Sequence, residues 1–130
     1  MANYKKHEST GAKWGAGLGV VLNLISQGAK RKSDPSYRFD FGELLASGLG
    51  GAGLGAVTGV LPDILEPAKH PHHRKTCHSF TAMASIAVGL HKVSKSNLSD
   101  VQKGTAYIAG AGYLSHLFLD LDTPKGLPLL

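Results

Sequence analysis

Apolar positions recur at helical spacing in four segments of the chain, and no segment sustains the alternation typical of a β-strand. The first segment covers about 10–27. The second begins after Asp40, which precedes Glu43 by three residues as in a capping box. The third covers about 79–93, with Ser79 as a cap candidate, and the fourth covers about 100–121, with Ser99 or Asp100 as its cap. The pattern predicts an all-α fold, a compact bundle of about four main helices.

A segment rich in proline and histidine separates the second predicted helix from the third. Pro62, Pro67 and Pro71 interrupt residues 61–75, and proline breaks a helix interior because it lacks an N–H donor. This stretch is therefore predicted to be a loop that crosses one end of the bundle. By its length of 130 residues the chain is predicted to form a single domain, 1–130.

The second predicted helix is rich in glycine, with six glycines between positions 48 and 59. Each glycine costs about 1 kcal/mol relative to alanine in an isolated helix, so this helix is expected to depend on close packing. Residues 44–62 and 104–119 carry no charged side chain, but glycine dilutes the first stretch and His116 interrupts the second. The preferred interpretation is a compact soluble bundle, with membrane association as the alternative. The expected location is the cytoplasm, the cytoplasmic face of a membrane or the membrane itself.

The chain is basic, with a formal net charge of +5 and a pI of about 9.4. Clustered lysines and arginines suit an anionic, phosphate-bearing partner, either a small molecule or a lipid. The alternative is a soluble surface with a few extra lysines. Aromatic side chains do not interleave with the basic ones, so no specific nucleic-acid partner is predicted. Cys77 is the single cysteine, which excludes an internal disulfide and fits a reducing compartment.

Histidine is the residue type that suggests chemistry. Of seven histidines, four fall within nine residues: His70, His72, His73 and His78. Imidazole is a common ligand of transition metals, and the cluster beside prolines favours a metal site over a set of surface histidines. His73 and His78 would diverge by about 140° on one straight helix. They can therefore share an ion only if His73 lies in the loop and His78 at the helix start.

His116 and Asp120 are four residues apart on the fourth predicted helix. This spacing places both side chains on one face, one turn apart. They are predicted to be ligands of one ion or of two adjacent ions. The alternative is a hydrogen-bonded pair that only steadies the bundle. Asp63, in the predicted loop, offers a further carboxylate ligand.

Three stretches taken together resemble the YdjM-like family of predicted membrane-bound metal-dependent hydrolases. They are Leu61-Pro62-Asp63, then His73-Arg74-Lys75-Thr76-Cys77-His78-Ser79, and finally Gly112-Tyr113-Leu114-Ser115-His116-Leu117-Phe118-Leu119-Asp120 with the Thr123-Pro124-Lys125-Gly126 turn. The family is similar, at a distance, to zinc-dependent phospholipase C, an all-helical fold with His and Asp ligands.

The resemblance implies a metal site and a hydrolytic reaction, with phosphoesters as the favoured substrate class. A divalent metal is the expected cofactor, zinc before manganese or another ion. The ligands that it implies are His7, Asp63, His73, His78, His116 and Asp120.

The first functional hypothesis is therefore a metal-dependent hydrolase, an enzyme in which Glu66 or Asp122 acts as general base. The alternative is a non-catalytic, metal-stabilised helical module that binds a protein or membrane partner. A third hypothesis is a glycine-zipper membrane protein in which the histidines have no role in metal binding.

Overall fold

Four α-helices make up the fold in a computed structural model that describes residues 4–67, 76–123 and 126–129. Within those residues no strand is present, and the predicted all-α bundle is confirmed. In chain order the helices are α1 Tyr4–Ser33, α2 Phe41–Leu65, α3 Phe80–Ser94 and α4 Asp100–Leu121.

Side-chain caps begin three of the helices at the positions that the sequence indicates. The Asp40 carboxylate accepts a hydrogen bond from the Glu43 amide at 2.9 Å, and the Ser79 hydroxyl accepts one from the Ala82 amide at 3.1 Å. Ser99 starts α4 with a full capping box to Gln102. Each cap satisfies an amide that has no partner within its own helix.

Two helices are longer than the sequence predicts. α1 starts six residues earlier than expected and runs past Gln27 to Ser33, where Lys30, Arg31 and Lys32 lie favourably at the negative end of the helix dipole. α2 continues through Pro62 to Leu65, so the prediction of a loop was wrong for residues 61–65, and residues 68–75 of that predicted loop lie outside the described residues. Proline removes only its own N–H, and its carbonyl still accepts from the Glu66 amide at 2.9 Å.

Glycine lets α1 and α2 pack with their backbones in contact. A Cβ atom on Gly15 would overlap the carbonyl oxygen of Gly51, and one on Gly11 would overlap that of Gly55. Since the obstacle is backbone in both places, no larger residue fits. The buried residues of α1 repeat every four positions and form one stripe: His7, Gly11, Gly15, Gly19, Asn23 and Gln27.

α4 packs against both α1 and α2, whereas α3 packs against α4 alone. The approach of α4 to α2 is again set by a glycine, because a Cβ on Gly112 would overlap the Thr58 hydroxyl and lie 2.8 Å from the Gly55 carbonyl oxygen. No residue of α3 is buried. Among the described helices, α2 alone is long and apolar enough to cross a membrane.

Candidate metal centre

Side chains from α1, α2 and α4, together with the segment before α3, meet at one end of the bundle. In each of the three helices, the side chain that reaches the centre lies one turn from a glycine at the closest helix contact. The close approach of the backbones therefore brings these side chains together from segments far apart in sequence. The pairs are His7 with Gly11, Asp63 with Gly59, and His116 with Gly112.

His116 is fully buried, and its orientation is fixed by a backbone carbonyl. Its Nδ1 atom donates to the Gly59 carbonyl oxygen at 2.7 Å. With the proton on Nδ1, the Nε2 atom carries a lone pair that faces the centre. A hydrogen bond from the second ring nitrogen to a carbonyl is the usual arrangement for a metal-bound histidine.

Glu66 holds His78 in a matching orientation. The His78 Nδ1 atom lies 3.4 Å from Glu66 Oε2, and the same carboxylate accepts from the amides of Thr76 and Cys77 at 3.2 and 2.9 Å. His78 therefore sits just before the Ser79 cap, with its Nε2 atom directed inward. That atom is 3.0 Å from Nε2 of His116, so two imidazole nitrogens face each other in a buried space.

Two carboxylates complete a group of four inward-facing atoms. Asp63 Oδ1 lies 3.2 Å from Nε2 of His78 and 3.6 Å from Nε2 of His116. Asp120 Oδ2 lies 3.9 and 3.3 Å from the same two nitrogens. Ligand atoms about 2.0–2.1 Å from a tetrahedral zinc ion are about 3.4 Å apart, so these separations fit a small divalent ion.

Buried polar atoms without partners mark the inner side of the centre. Neither Nδ1 of His7 nor Oδ1 of Asp120 has a hydrogen-bond partner among the described residues. The His7 ring stacks on that of His116 with centroids 3.7 Å apart, and its Nε2 atom is 3.6 Å from Asp120 Oδ1. Burying such atoms unpaired is costly. A cation would compensate both the lone pairs and the carboxylate charge, and two overlapping groups of these residues could hold a metal ion.

The pKa of His78 reflects the same surplus of acceptors, whereas that of His7 is governed by burial. Burial lowers the pKa of His78, but the hydrogen bonds to Asp63 and Glu66 outweigh it and raise the pKa above its ordinary value. A proton on His78 thus meets part of the demand for positive charge when no metal is bound. Burial, followed by the neighbouring His116, lowers the pKa of His7, so this ring is favoured as a neutral ligand.

The structure brings together most of the residues singled out in the sequence. His7, Asp63, His78, His116 and Asp120 lie within one cluster. Asp63 reaches it from the last turn of α2, not from a loop. His73 lies outside the described residues, as do His70 and His72.

The two candidate general bases have different positions. Glu66 borders the cluster and contacts His78, whereas Asp122 is exposed at the C-cap of α4 and makes none of the described contacts with the cluster. Two supporting groups went unnoticed in the sequence: the Gly59 carbonyl, and the Tyr113 hydroxyl, which donates to the Cys77 carbonyl at 3.0 Å. Asp63 follows Gly59 by four residues, and Glu66 follows Asp63 by three. This helical spacing would have revealed a shared face had the helix been extended through Pro62.

The fold and the cluster define a four-helix protein with a candidate membrane span and a His/Asp site that could hold a metal ion. The sequence profile of the YdjM inner membrane protein matches residues 14–130, and the chain belongs to this family of inner membrane proteins. Membrane association, kept as the alternative to a soluble bundle, is therefore supported. No curated protein and no solved structure matches the chain.

Proposed function

We propose that the protein is a membrane-associated, metal-dependent hydrolase of phosphoesters. It would act as a single domain, in which α1, α2, α4 and the segment before α3 supply the metal ligands. Asp63, His78, His116 and Asp120 would hold the ion. His7 would add a fifth ligand or bind an adjacent ion, and His73 remains a candidate ligand. Imidazole and carboxylate ligands, with the measured nitrogen–nitrogen and nitrogen–oxygen separations at 3.0–3.9 Å, favour zinc, with manganese or another divalent ion as the next choices.

The observation that carries the proposal is the short distance between the two Nε2 atoms. The Nδ1 atoms of His78 and His116 each face an acceptor, so the Nε2 lone pair of each ring points toward the other ring. The two Nε2 atoms are 3.0 Å apart. Two lone pairs at that distance repel unless a cation or a proton lies between them. The two nearby carboxylates add negative charge, which favours a divalent cation.

A divalent ion bound there would supply Lewis-acid chemistry, lowering the pKa of water and stabilising charge on a phosphoryl oxygen. Hydrolysis forms a bond from a water oxygen to phosphorus and breaks the ester P–O bond, while the leaving oxygen gains a proton. Asp63 has a side chain 24% exposed, compared with 3% for Asp120, so it faces an incoming substrate. Glu66 would act as a positioning residue through His78, and Asp122 would need to move to act as a base.

A second candidate function is a metal-stabilised module without activity. Four protein ligands would fill a tetrahedral coordination shell, as in structural zinc sites, whereas catalytic sites keep one position open. The partial exposure of Asp63 favours catalysis, since this carboxylate is the cluster ligand that solvent can reach.

The test is hydrolysis of bis(p-nitrophenyl) phosphate by detergent-solubilised protein. Turnover should disappear on chelation and return with zinc or manganese. The Asp63→Asn variant should lose activity, while Asp100→Asn, which changes an exposed carboxylate at the start of α4, should retain it. If the fully metallated protein hydrolyses neither phosphodiesters nor phosphomonoesters, the hydrolase proposal is wrong. The metal-stabilised module without activity is then the better explanation.

A further inference from the structure

A cavity of about 470 Å³ opens between α2, α3 and α4. Of the described helices, α3 contacts α4 but not α2, so none of them fills the space between α3 and α2. Its volume lies within the range of about 300–1,000 Å³ typical of small-molecule sites. Among the described residues no charged side chain lines it, and those walls are mainly apolar or small: Leu61 on α2, Ala82 and Ile86 on α3, and Ala109 and Gly110 on α4.

The cavity and the candidate metal centre are formed by neighbouring residues of the same segments, although they have no lining residue in common. Three segments each supply a residue to the cavity and, within three positions, a residue to the centre. The Tyr113 hydroxyl also ties the α4 wall to the segment before α3 by its hydrogen bond to the Cys77 carbonyl. A molecule lying in the cavity would therefore have one end beside the metal centre. The pairs are Leu61 with Asp63, Cys77 with His78, and Tyr113 with His116.

We infer that this cavity binds one acyl chain of a membrane phospholipid, whose phosphate lies at the metal centre. The inference rests on the proposed function and narrows its substrate class to lipids. Walls without charge favour a hydrocarbon chain over a polar substrate, and a protein of an inner membrane family has such chains at hand. Each buried methylene strengthens binding about fourfold, so even a partly inserted chain adds substantially to affinity.

A peptide helix from a partner fits the cavity poorly. An α-helix is about 10 Å across with its side chains, so about 470 Å³ would hold only about one turn. A single extended acyl chain is much narrower than a helix, so the same volume holds a long stretch of it. The cavity also carries few polar groups to pair with the exposed amides of a short peptide.

Photolabelling in a bilayer tests the inference without relying on turnover. The protein is placed in nanodiscs of phosphatidylethanolamine and phosphatidylglycerol with a trace of phosphatidylglycerol that carries a diazirine on its acyl chain. After irradiation, labelled peptides are mapped by mass spectrometry. Label is expected on the cavity walls at Ala82, Ile86 and Ala109. Label confined to the outward residues of α2, such as Leu49 and Val57, would overturn the inference.

Cavity-filling variants make the test specific. Ala82→Phe should reduce cavity labelling about fifteenfold, since it displaces roughly two methylenes of the chain at about fourfold each. Ala84→Phe, the same change at an exposed position of α3 outside the cavity lining, should leave it unchanged. Ala109→Leu fills the cavity from α4 and replaces Ala82→Phe if that variant melts early. Equal labelling of the wild type and both filled variants would reject the acyl site.

A second probe separates the chain from the phosphate. A diazirine-bearing diacylglycerol, which has no phosphate, should label the cavity less than the phospholipid does. Equal labelling would overturn the placement of the phosphate at the centre. If Asp63→Asn and chelation leave hydrolysis unaffected while cavity labelling still depends on Ala82, the hydrolase proposal fails and the acyl site stands.

Discussion

Buried polar side chains flank the glycine contact between α1 and α2, with Gln27 at one end and His7 at the other. The two ends differ in how completely their polar atoms are hydrogen-bonded. At the end near the α1–α2 connection, Gln27 is fully paired. Its Nε2 atom donates to Asn23 Oδ1 at 2.7 Å and to the Asp40 carbonyl at 2.8 Å. Its Oε1 atom accepts from the Tyr37 hydroxyl at 3.1 Å and the Asp40 amide at 2.7 Å. Every donor and acceptor of this side chain has a partner.

At the other end, about 30 Å away along α1 at 1.5 Å per residue, the groups around His7 are not paired. In the part of the chain that the structure describes, His7 Nδ1 and Asp120 Oδ1 have no hydrogen-bond partner, and the Nε2 atoms of His78 and His116 face each other. Both ends are equally well shielded, so burial alone does not distinguish them. The difference lies in the balance of donors and acceptors: the Gln27 side chain is fully paired, whereas acceptors outnumber donors among the described groups around His7, and a cation would balance them.

The largest expected effect comes from breaking the contact that both ends share. Gly55→Ala places a Cβ against the Gly11 carbonyl oxygen, and neither backbone can yield. We expect a loss of at least about 3 kcal/mol of stability, together with loss of metal binding. Gly53→Ala, on the same helix with nothing within 4 Å of the new Cβ, is the matched control. It should leave stability unchanged or raise it by up to about 1 kcal/mol. Thermal melting of both variants in the same detergent measures the difference, and equal melting temperatures would contradict the packing account.

Removal of the metal should act on one end only. An ion present at about a thousandfold above its dissociation constant stabilises the fold by about 4 kcal/mol, so chelation should lower the melting temperature by about 10–20 °C. The shift should be the same in Gln27→Ala, because distant sites contribute independently. A melting curve that chelation does not change would show that the His7 end is complete without a cation.

The Gln27→Ala variant tests the paired end by itself. It removes four hydrogen bonds and leaves the Asp40 amide without its acceptor, so a loss of about 1–3 kcal/mol is expected. Metal content should not change. Denaturant unfolding gives the first quantity and elemental analysis the second. A loss of metal in this variant would mean that the two ends are coupled through α1.

The smallest expected effect is a change in metal affinity without a change in the fold. Glu66→Gln weakens the hydrogen bond that orients His78 and should reduce metal affinity about 10–100-fold with little change in helix content. Glu43→Gln makes the same change at the Gln27 end, where Glu43 contacts Asn23 and Lys30, and should leave metal affinity unaltered. Competition with a chromophoric chelator measures both. If the two variants bind the metal with equal affinity, Glu66 does not position His78 for metal binding.

Much of the fold could be predicted from local signals in the sequence. Asp40, Ser79 and Ser99 indicate where helices begin because capping depends on residues only a few positions apart. The course of α2 could not be predicted in the same way. Pro62 argues locally for a break, whereas packing of the last turn against α4 and a carbonyl that still accepts favour continuation.

The candidate site was predictable only in part. His116 and Asp120 share a helix face by their spacing alone, so the pair is visible in the sequence. The position of His7 depends on the register of α1 against α2, which the matched glycines set and which no short motif specifies. Glu66 was singled out as a candidate base, but its contact with His78 could not be predicted, since that contact depends on tertiary structure.

The central claim is that the cluster holds a metal ion, and the most direct test is elemental analysis of protein purified without a histidine tag. The wild type should carry close to one equivalent or more of zinc or another divalent ion. Asp120→Asn should lose most of it, because this change replaces a buried carboxylate whose Oδ2 lies 3.3 Å from Nε2 of His116. Asp122→Asn, the same change two residues further on at an exposed position, should keep it. A metal-free wild type, or full metal content in Asp120→Asn, would contradict the account.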